Sequence, residues 1–387
     1  MRMKKYYYLL FTANFLLLSC GESKQGDLLE IPVDIVNNTV LQLPLSEIAE
    51  SITAIELELT DESIINPKYI KRIIFSDDMI FIAQKENILV FNGSGKFIRS
   101  IGSKGQGPGE YLEIRNIVFD ETNKRLFLVS WRKIICYDLS GNVLMESSFS
   151  PSRFEYIIYD INYFNNELLL IGWSIDNKDE TGLFAHAEVF RLNEDLQIID
   201  SSTILKVYEH SGWSDSGSED YILLLDSTVY LYYPFSTAHT SNALGKVKQE
   251  KSVLRDTLYR FENNQLIPDL KLKFNRNGID IEGYMFIKLI NIYRSSRYIF
   301  AEYYNYAEGR NDNNIYSLYV FCYDTKTGKG YRVVRNNRYT DDINQIEHVL
   351  IRPLNSNTEM FYYTHTHMNP NDLEEPNPTL YIGKLKK

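Results

Sequence analysis

Tryptophan, proline, glycine and cysteine are sparse in this chain: 3, 11, 20 and 3 of 387 residues. So little Gly and Pro excludes a collagen-like or low-complexity chain. Lys and Arg number 41 against 51 Asp and Glu, a formal charge of −10. The cationic footprint that phosphate binding needs is therefore missing, and nucleic acid is not an expected partner. The N-terminal apolar stretch, Tyr6 to Leu18, is too short to span a bilayer as a helix. Beyond it no segment keeps a 3.6-residue apolar period, which argues against helical lobes. What the chain does have is tyrosine and phenylalanine, 29 and 20 residues, within a globular balance of 44% hydrophobic and 24% charged. These rings pack well on a pleated, half-buried surface, so the expectation is strands.

The first twenty residues read as an address. Arg2, Lys4 and Lys5 form a basic start, Tyr6 to Leu18 an apolar middle, and Leu17-Leu18-Ser19-Cys20 resembles a bacterial lipobox. The similarity implies cleavage before Cys20 and lipid attachment to its thiol, with several acyl chains giving stable membrane anchoring. Residues 1–19 are then a lipoprotein signal peptide and 20–38 an acylated tether, beginning with the polar Gly21 to Gly26. The expected location is the cell envelope, anchored at the outer membrane, with the facing side open. Removing 1–19 takes away three positive charges and leaves the mature chain more acidic.

Short alternating apolar runs separated by Gly, Asn, Asp and Ser turns recur along the rest of the chain, the pattern of an all-β fold. The runs group in fours. Strands near 70–76, 79–85, 87–92 and 97–102 are repeated at 114–120, 124–131, 133–139 and 142–149. The turn Phe91-Asn92-Gly93-Ser94-Gly95 matches Tyr137-Asp138-Leu139-Ser140-Gly141, a period that suits a four-stranded propeller blade. Three larger units follow, over 155–204, 219–274 and 285–335. A last unit supplies only three strands, at 348–354, 359–367 and 379–385. The alternating stretch Ser51 to Glu58 can complete it, closing the ring and hiding sheet edges. The expected domain is one β-propeller of antiparallel blades over 39–387, six-bladed by this count with five or seven blades left open. Its register puts Cys136 and Cys322 in opposite blades, so both are expected to be buried free thiols.

Ile101-Gly-Ser-Lys-Gly-Gln-Gly-Pro-Gly-Glu-Tyr111 resembles a loop of the six-bladed β-propeller lipoproteins of Gram-negative gut commensals. Leu43 to Ala49, followed by Ile55-Glu56-Leu57-Glu58, is similar to that family's N-terminal segment. The resemblance implies the propeller fold over roughly 39–387. It carries no catalytic residues.

With strands a to d running from channel to rim, a–b and c–d turns share one end of the ring and b–c and d–a loops the other. The first end has short turns such as Asp77-Asp78 and Asn165-Asn166. The second holds the long insertions, where binding is expected. Trp131, Trp173 and Trp213 fall on that side, as do His210, His239, His186, His365 and His367, with His348 starting an inner strand. Trp131, Trp173, Trp213, His348, His365 and His367 are the candidate ligand-binding residues. Indole faces stack on a pyranose, and tyrosine-rich loops suit a peptide. Trp at a strand end also commonly just seals neighbouring blades.

Searches for catalytic chemistry return little. The glycines of 102–110 lead into a strand rather than a helix, so a structural turn fits better than a dinucleotide site. Gly212-Trp213-Ser214-Asp215-Ser216 falls one residue short of a nucleophile elbow. His365 and His367 share a strand face, but a metal site needs a converging third group, so no metal and no cofactor is expected. Asp215, Glu219, Asp220, Glu282, Asp341 and Asp342 are assigned to the insertion side, where convergence of two carboxylates would be needed for glycoside hydrolysis. The reading is a non-catalytic binding module for a glycan, peptide or partner protein. The alternatives are a propeller glycan lyase or hydrolase acting at the channel mouth, and a structural subunit of an outer-membrane complex.

Overall fold

A computed structural model describes residues 28–33, 39–40, 42–131, 133–149, 157–208, 220–233, 255–274, 287–305, 317–334, 339–368 and 375–387. Antiparallel sheets follow one another along them, each built from runs whose Val, Ile, Leu, Tyr and Phe side chains alternate between its two faces. Strands Ile70–Ser76, Met79–Gln84, Ile88–Asn92 and Phe97–Ile101 make the first, and Asn116–Asp120, Arg125–Ser130, Lys133–Asp138 and Val143–Ser148 the second. Ile157–Phe164, Glu167–Lys178, Leu183–Leu192 and Ile198–Tyr208 make the third. A five-stranded sheet joins Ile287–Arg294, Tyr298–Asn305, Ser317–Asp324 and Lys329–Val334 to the short strand Thr39–Val40.

The fifth sheet has nine strands and two halves. One half runs Ile222–Leu225, Thr228–Leu231, Thr257–Glu262, Gln265–Phe274 and Leu29–Val33; the other runs Arg352–Leu354, Asn357–His365, Thr379–Leu385 and Ala49–Glu56. A single residue pair, Leu224 with Asn357, joins them. The fold is all-β and propeller-like, with five sheets of four or more strands among the described residues, against the six expected.

The core lies between sheets. Ile74, Phe81 and Ala83 of the first pack with Ile117, Leu126 and Leu128 of the second. Phe127 and Val129 of the second pack with Ile158, Ile161 and Leu168 of the third. Leu354, Leu380 and Ile382, from the end of the chain, pack against Ile73, Ile80 and Leu89 of the first sheet, so last and first are neighbours. Burying each such side chain stabilises by about 1.5–3 kcal/mol.

The N-terminal segment supplies edge strands to both halves of the nine-stranded sheet and to the five-stranded one. Leu29–Val33 runs parallel to Gln265–Phe274, and Thr39–Val40 parallel to Lys329–Val334. Ala49–Glu56 runs antiparallel to Thr379–Leu385, the pairing expected of the Ser51–Glu58 stretch, with Ser51 opposite Lys384 and Glu56 opposite Thr379. The first of these strands lies inside the stretch read as tether. Its alternation explains why: Ile31 and Val33 point inward and are buried, while Pro32 faces out on an edge that needs no donor there. The inner strand of the last unit starts at Arg352, later than expected. Residues Tyr339–Asp341 and Ile346–Val349 instead form a small sheet with Leu43–Pro44, because the Asp341 carboxylate accepts from the backbone N–H of Ile343 and Asn344 and closes a separate hairpin.

Cys136 and Cys322 are buried free thiols, as expected. Burial pushes the Cys136 thiol up to about 11, and Cys322 up as well. Among the described residues no helix is long and apolar enough to cross a membrane.

Candidate functional site

The inner strands are apolar except at a few positions, and those positions meet. Arg72, third residue of its strand, is buried and donates through Nη2 to Asp160 Oδ1 at 2.9 Å and to Asp220 Oδ1 at 3.0 Å. Its Nη1 donates to the Ile161 carbonyl at 2.9 Å. Asp160 sits at a bulge in its own strand and also accepts from Asn116 Nδ2 at 2.7 Å and from the Tyr221 and Ile222 N–H groups at 2.8 Å each. One guanidinium thus ties the first sheet to the second, the third and the 222–274 half of the fifth. Alongside, Arg352 Nη1 donates to Glu302 Oε1 at 3.1 Å and to Tyr293 Oη at 3.4 Å.

Burial pushes the Asp160 carboxyl up to about 6; the nearby Arg72 opposes this, and the charge of Asp220 adds to it. The physical reason is that the Asp160 carboxyl is buried and shares one guanidinium with Asp220. Burial acts to lower the Arg72 pKa, but Asp160 and Asp220 outweigh it and the net direction is up. Tyr293 is raised by burial.

From this cluster a cavity of about 580 Å³ extends toward the short-turn end. Arg72 and Asn162 line it on the strands; Asp120, Glu121, Asp226 and Asn355 line it at the turns. Phe119, Tyr163, Ile74 and Met360 supply apolar wall. Turn chemistry accounts for the polar rim. The two-residue hairpins Asp77-Asp78, Asn165-Asn166 and Asn355-Ser356 hold positive φ at both residues, between 51° and 62°, which Asn and Asp tolerate best after glycine. Asp226 has φ 52°. The Asn355 side chain also ties the last inner strand to the first: Oδ1 accepts from Phe75 N at 2.8 Å and Nδ2 donates to Phe75 O at 2.7 Å.

The structure disperses the sequence candidates. Trp131 is 40% exposed, with the Arg115 guanidinium 4.2 Å from its ring centroid. Trp173 is 2% exposed and packs with Ala185, Ala187 and Leu205. It is core, not a stacking platform, because its strand is an interior one of the third sheet and that face is covered by neighbouring apolar side chains. His348 is exposed on the small hairpin, at φ 63°, with Nε2 3.7 Å from the Glu347 carboxylate. His365 and His367 contact each other, ring centroids 4.7 Å apart, and His367 Nε2 lies 2.8 Å from Tyr381 Oη. Burial and then the neighbouring His367 lower the His365 pKa. Among the described residues no three His, Cys, Asp or Glu gather as a metal site. Cys20, Trp213, His210 and His239 lie outside the described residues.

The glycine-rich loop is structural. Glu110 Oε2 accepts from Gly107 N at 2.8 Å, Lys133 Nζ donates to the Gly107 and Glu110 carbonyls, and Tyr137 Oη donates to Gly109 O at 2.7 Å. Gly109 holds φ 73°, and a Cβ there would lie 2.4 Å from Val143 Cγ2. The loop therefore locks the first sheet's exit onto the second.

Sequence reasoning passed over Arg72, Asn116 and Asp160. The available signal was a charged or amide residue inside an apolar inner strand, as in Ile70-Lys-Arg-Ile-Ile-Phe-Ser76 and Ile157-Ile-Tyr-Asp-Ile-Asn-Tyr-Phe164. A buried ion needs a partner, so each such residue pointed to another.

The profile of a domain of unknown function, DUF4934, matches residues 28–386. The chain belongs to the DUF4934 family. That span starts where the Leu29–Val33 strand does, so the family's domain includes the N-terminal edging strands as well as the sheets. Among solved structures, this DUF4934 chain is similar to a Bacteroides fragilis NCTC 9343 protein described as exported. The identity is 16%, with 92% of this chain and all of the other covered and a TM-score of 0.62. The WD40 domain of Neurospora crassa Pan2 matches at 13% identity over 89% of this chain and 98% of its own, TM-score 0.42. No curated protein matches the chain.

Proposed function

We propose that this protein is a lipid-anchored envelope protein whose propeller is a non-catalytic binding module, with the channel cavity as its ligand site. The carrying observation is the cavity of about 580 Å³ that starts at the Arg72–Asp160–Asp220 cluster. Its size falls within the ~300–1,000 Å³ usual for small-molecule sites. Its lining combines amides, carboxylates and two aromatic rings, a surface able to orient a polar ligand. The site lies at the short-turn end, opposite the loops that the sequence favoured. Trp131 remains an exposed aromatic of the long-loop side and a secondary contact for a larger glycan, peptide or protein partner.

Six blades is the count we favour. The halves of the nine-stranded sheet share one ladder pair, and each repeats the four-strand antiparallel order of the other sheets. Counted apart, they give a ring whose last blade takes Ala49–Glu56 as its outer strand. The exported description of the Bacteroides fragilis protein agrees with the address read in residues 1–20.

The binding reading is tested by thermal-shift screening of the mature chain against soluble oligosaccharides, peptides and small amines. One class should raise Tm saturably, and Asn162→Leu in the channel wall should abolish the shift. A panel without any shift, or a shift unaffected by that change, overturns the channel as the site. Cys20→Ser should release the protein from membranes; retention there overturns the anchor.

A further inference from the structure

His365 ends the strand Asn357–His365, and His367 follows two residues on, so the two imidazoles leave the same face of the sheet. They stand at the other end of that strand from Asn357 and Glu359, which line the channel cavity. His365 is half-buried and His367 is exposed, so the pair is open to solvent.

The spacing of the rings carries chemical information. Their centroids are 4.7 Å apart and their planes lie at 72°. An imidazole nitrogen binds zinc at about 2.0–2.1 Å, which sets the ring centroid roughly 3.2 Å from the ion, so two ligating rings lie about 4.5 Å apart at a right angle and about 5.2 Å apart at the tetrahedral angle. The observed separation falls between these values. The two rings are already spaced as neighbours in one coordination shell.

The surrounding side chains fix one of the two. His367 Nε2 lies 2.8 Å from Tyr381 Oη. Tyr381 is buried and stacks on Tyr363, ring centroids 4.7 Å apart with planes at 3°. Tyr363 Oη in turn donates to the buried Asp341 carboxylate. The series Asp341, Tyr363, Tyr381 thus orients the His367 ring through Nε2 and leaves Nδ1 as its ligating atom, the division of labour usual in metal-binding histidines. Glu56 is opposite Thr379, and Thr379 is opposite His365, so a carboxylate shares this face.

No third His, Cys, Asp or Glu among the described residues completes the shell, so its other positions are open to water or to a donor from another molecule. Imidazole suits zinc and copper, whereas calcium and magnesium take oxygen ligands.

We propose that His365 and His367 chelate one divalent transition ion, zinc(II) or copper(II), with Tyr381 as a positioning residue. The site is separate from the channel cavity, and the proposal does not rest on the channel being the ligand site.

The test is titration of the metal-stripped mature chain, with zinc(II) followed by calorimetry and copper(II) by electron paramagnetic resonance. Wild type should take up one zinc per chain, and the copper spectrum should show coupling to two nitrogens. His365→Gln and His367→Gln should each weaken zinc binding at least tenfold and diminish the nitrogen coupling, with Tm unchanged in the absence of metal. Tyr381→Phe keeps the ring on Tyr363 and should weaken binding about tenfold while the two-nitrogen signature persists. His186→Gln with His348→Gln should leave binding unchanged. On the wild type itself, zinc should protect His365 and His367, but not His348, from diethylpyrocarbonate, read by peptide mass. Absence of zinc uptake, absence of that protection, undiminished binding in both His365 and His367 variants, equal loss from the His186 and His348 pair, or displacement of zinc by equimolar calcium would overturn the site. Full affinity in Tyr381→Phe would overturn the positioning role.

Discussion

Arg72 and Asp160, 88 residues apart in sequence, meet at 2.9 Å where the inner strands of the ring converge. Arg72 also pairs with Asp220, and both it and Asp160 are buried among apolar strands. Arg72→Met should destabilise the fold by roughly 3–5 kcal/mol, because it strands two carboxylates rather than removing a whole ion group. Urea unfolding measures this; a loss below about 1 kcal/mol would show that water reaches the cluster.

Asp160 also sets a pH dependence. Its folded-state pKa is about 6, above the unfolded value of 3.8. Between those values the folded chain holds the extra proton, so this group's contribution is full below about pH 4 and falls as pH rises to about 6. The span corresponds to about 3 kcal/mol. Subtracting the Asp160→Asn stability profile from wild type should leave that downward slope. A flat difference between pH 4 and 6 contradicts it.

Gly383 lies under the Phe361 ring, and a Cβ there would come within 2.0 Å of Phe361 Cζ. The pair sits opposite across Asn357–His365 and Thr379–Leu385, next to the strand supplied by Ala49–Glu56. Gly383→Ala should force the ring out of place and cost about 1–3 kcal/mol, the usual penalty of overpacking. The readout is Tm, with Phe361→Leu added to the variant restoring part of the loss.

The Leu29–Val33 strand should matter to stability although it is close to the address segment. Ile31 is 2% exposed. Ile31→Ala should cost about 2–5 kcal/mol if this strand unfolds with the body. A near-zero effect in urea unfolding would mean that it peels off separately.

Cys136 and Cys322 are buried with thiols raised by burial, so few thiolates form near neutral pH. A chromogenic disulfide reagent should label neither in the native chain and both, at unfolding rates, in denaturant. Fast native labelling of either would place it at the surface.

Much of the fold was legible in order. The first two sheets fall within a residue or two of their expected strands, because Ile70–Ser76 to Phe97–Ile101 and their repeat carry clean alternation between short turns. The closing role of Ser51 to Glu58 was legible for the same reason. Less legible was the strand at Leu29–Val33, where five residues beside a polar lead give too short a pattern to separate strand from linker. Only the end of the hairpin at 339–349 was expected as strand, within 348–354, because its turn depends on the Asp341 side chain, which periodicity does not register. The sites were read least well. Rare side chains drew attention to Trp173 and His348, yet one is core and the other is exposed on a small hairpin.

Alternation, turn residues and the repeat determined on their own that this chain is all-β and built of four-strand units, since those are local properties of backbone sterics and side-chain period. Only the tertiary structure decided that Arg72, Asn116, Asp160 and Asp220 form one cluster and that the cavity lies at the short-turn end. Those relationships join strands from different sheets, and the energy of a buried charge depends on what closes around it, which no single stretch of sequence contains.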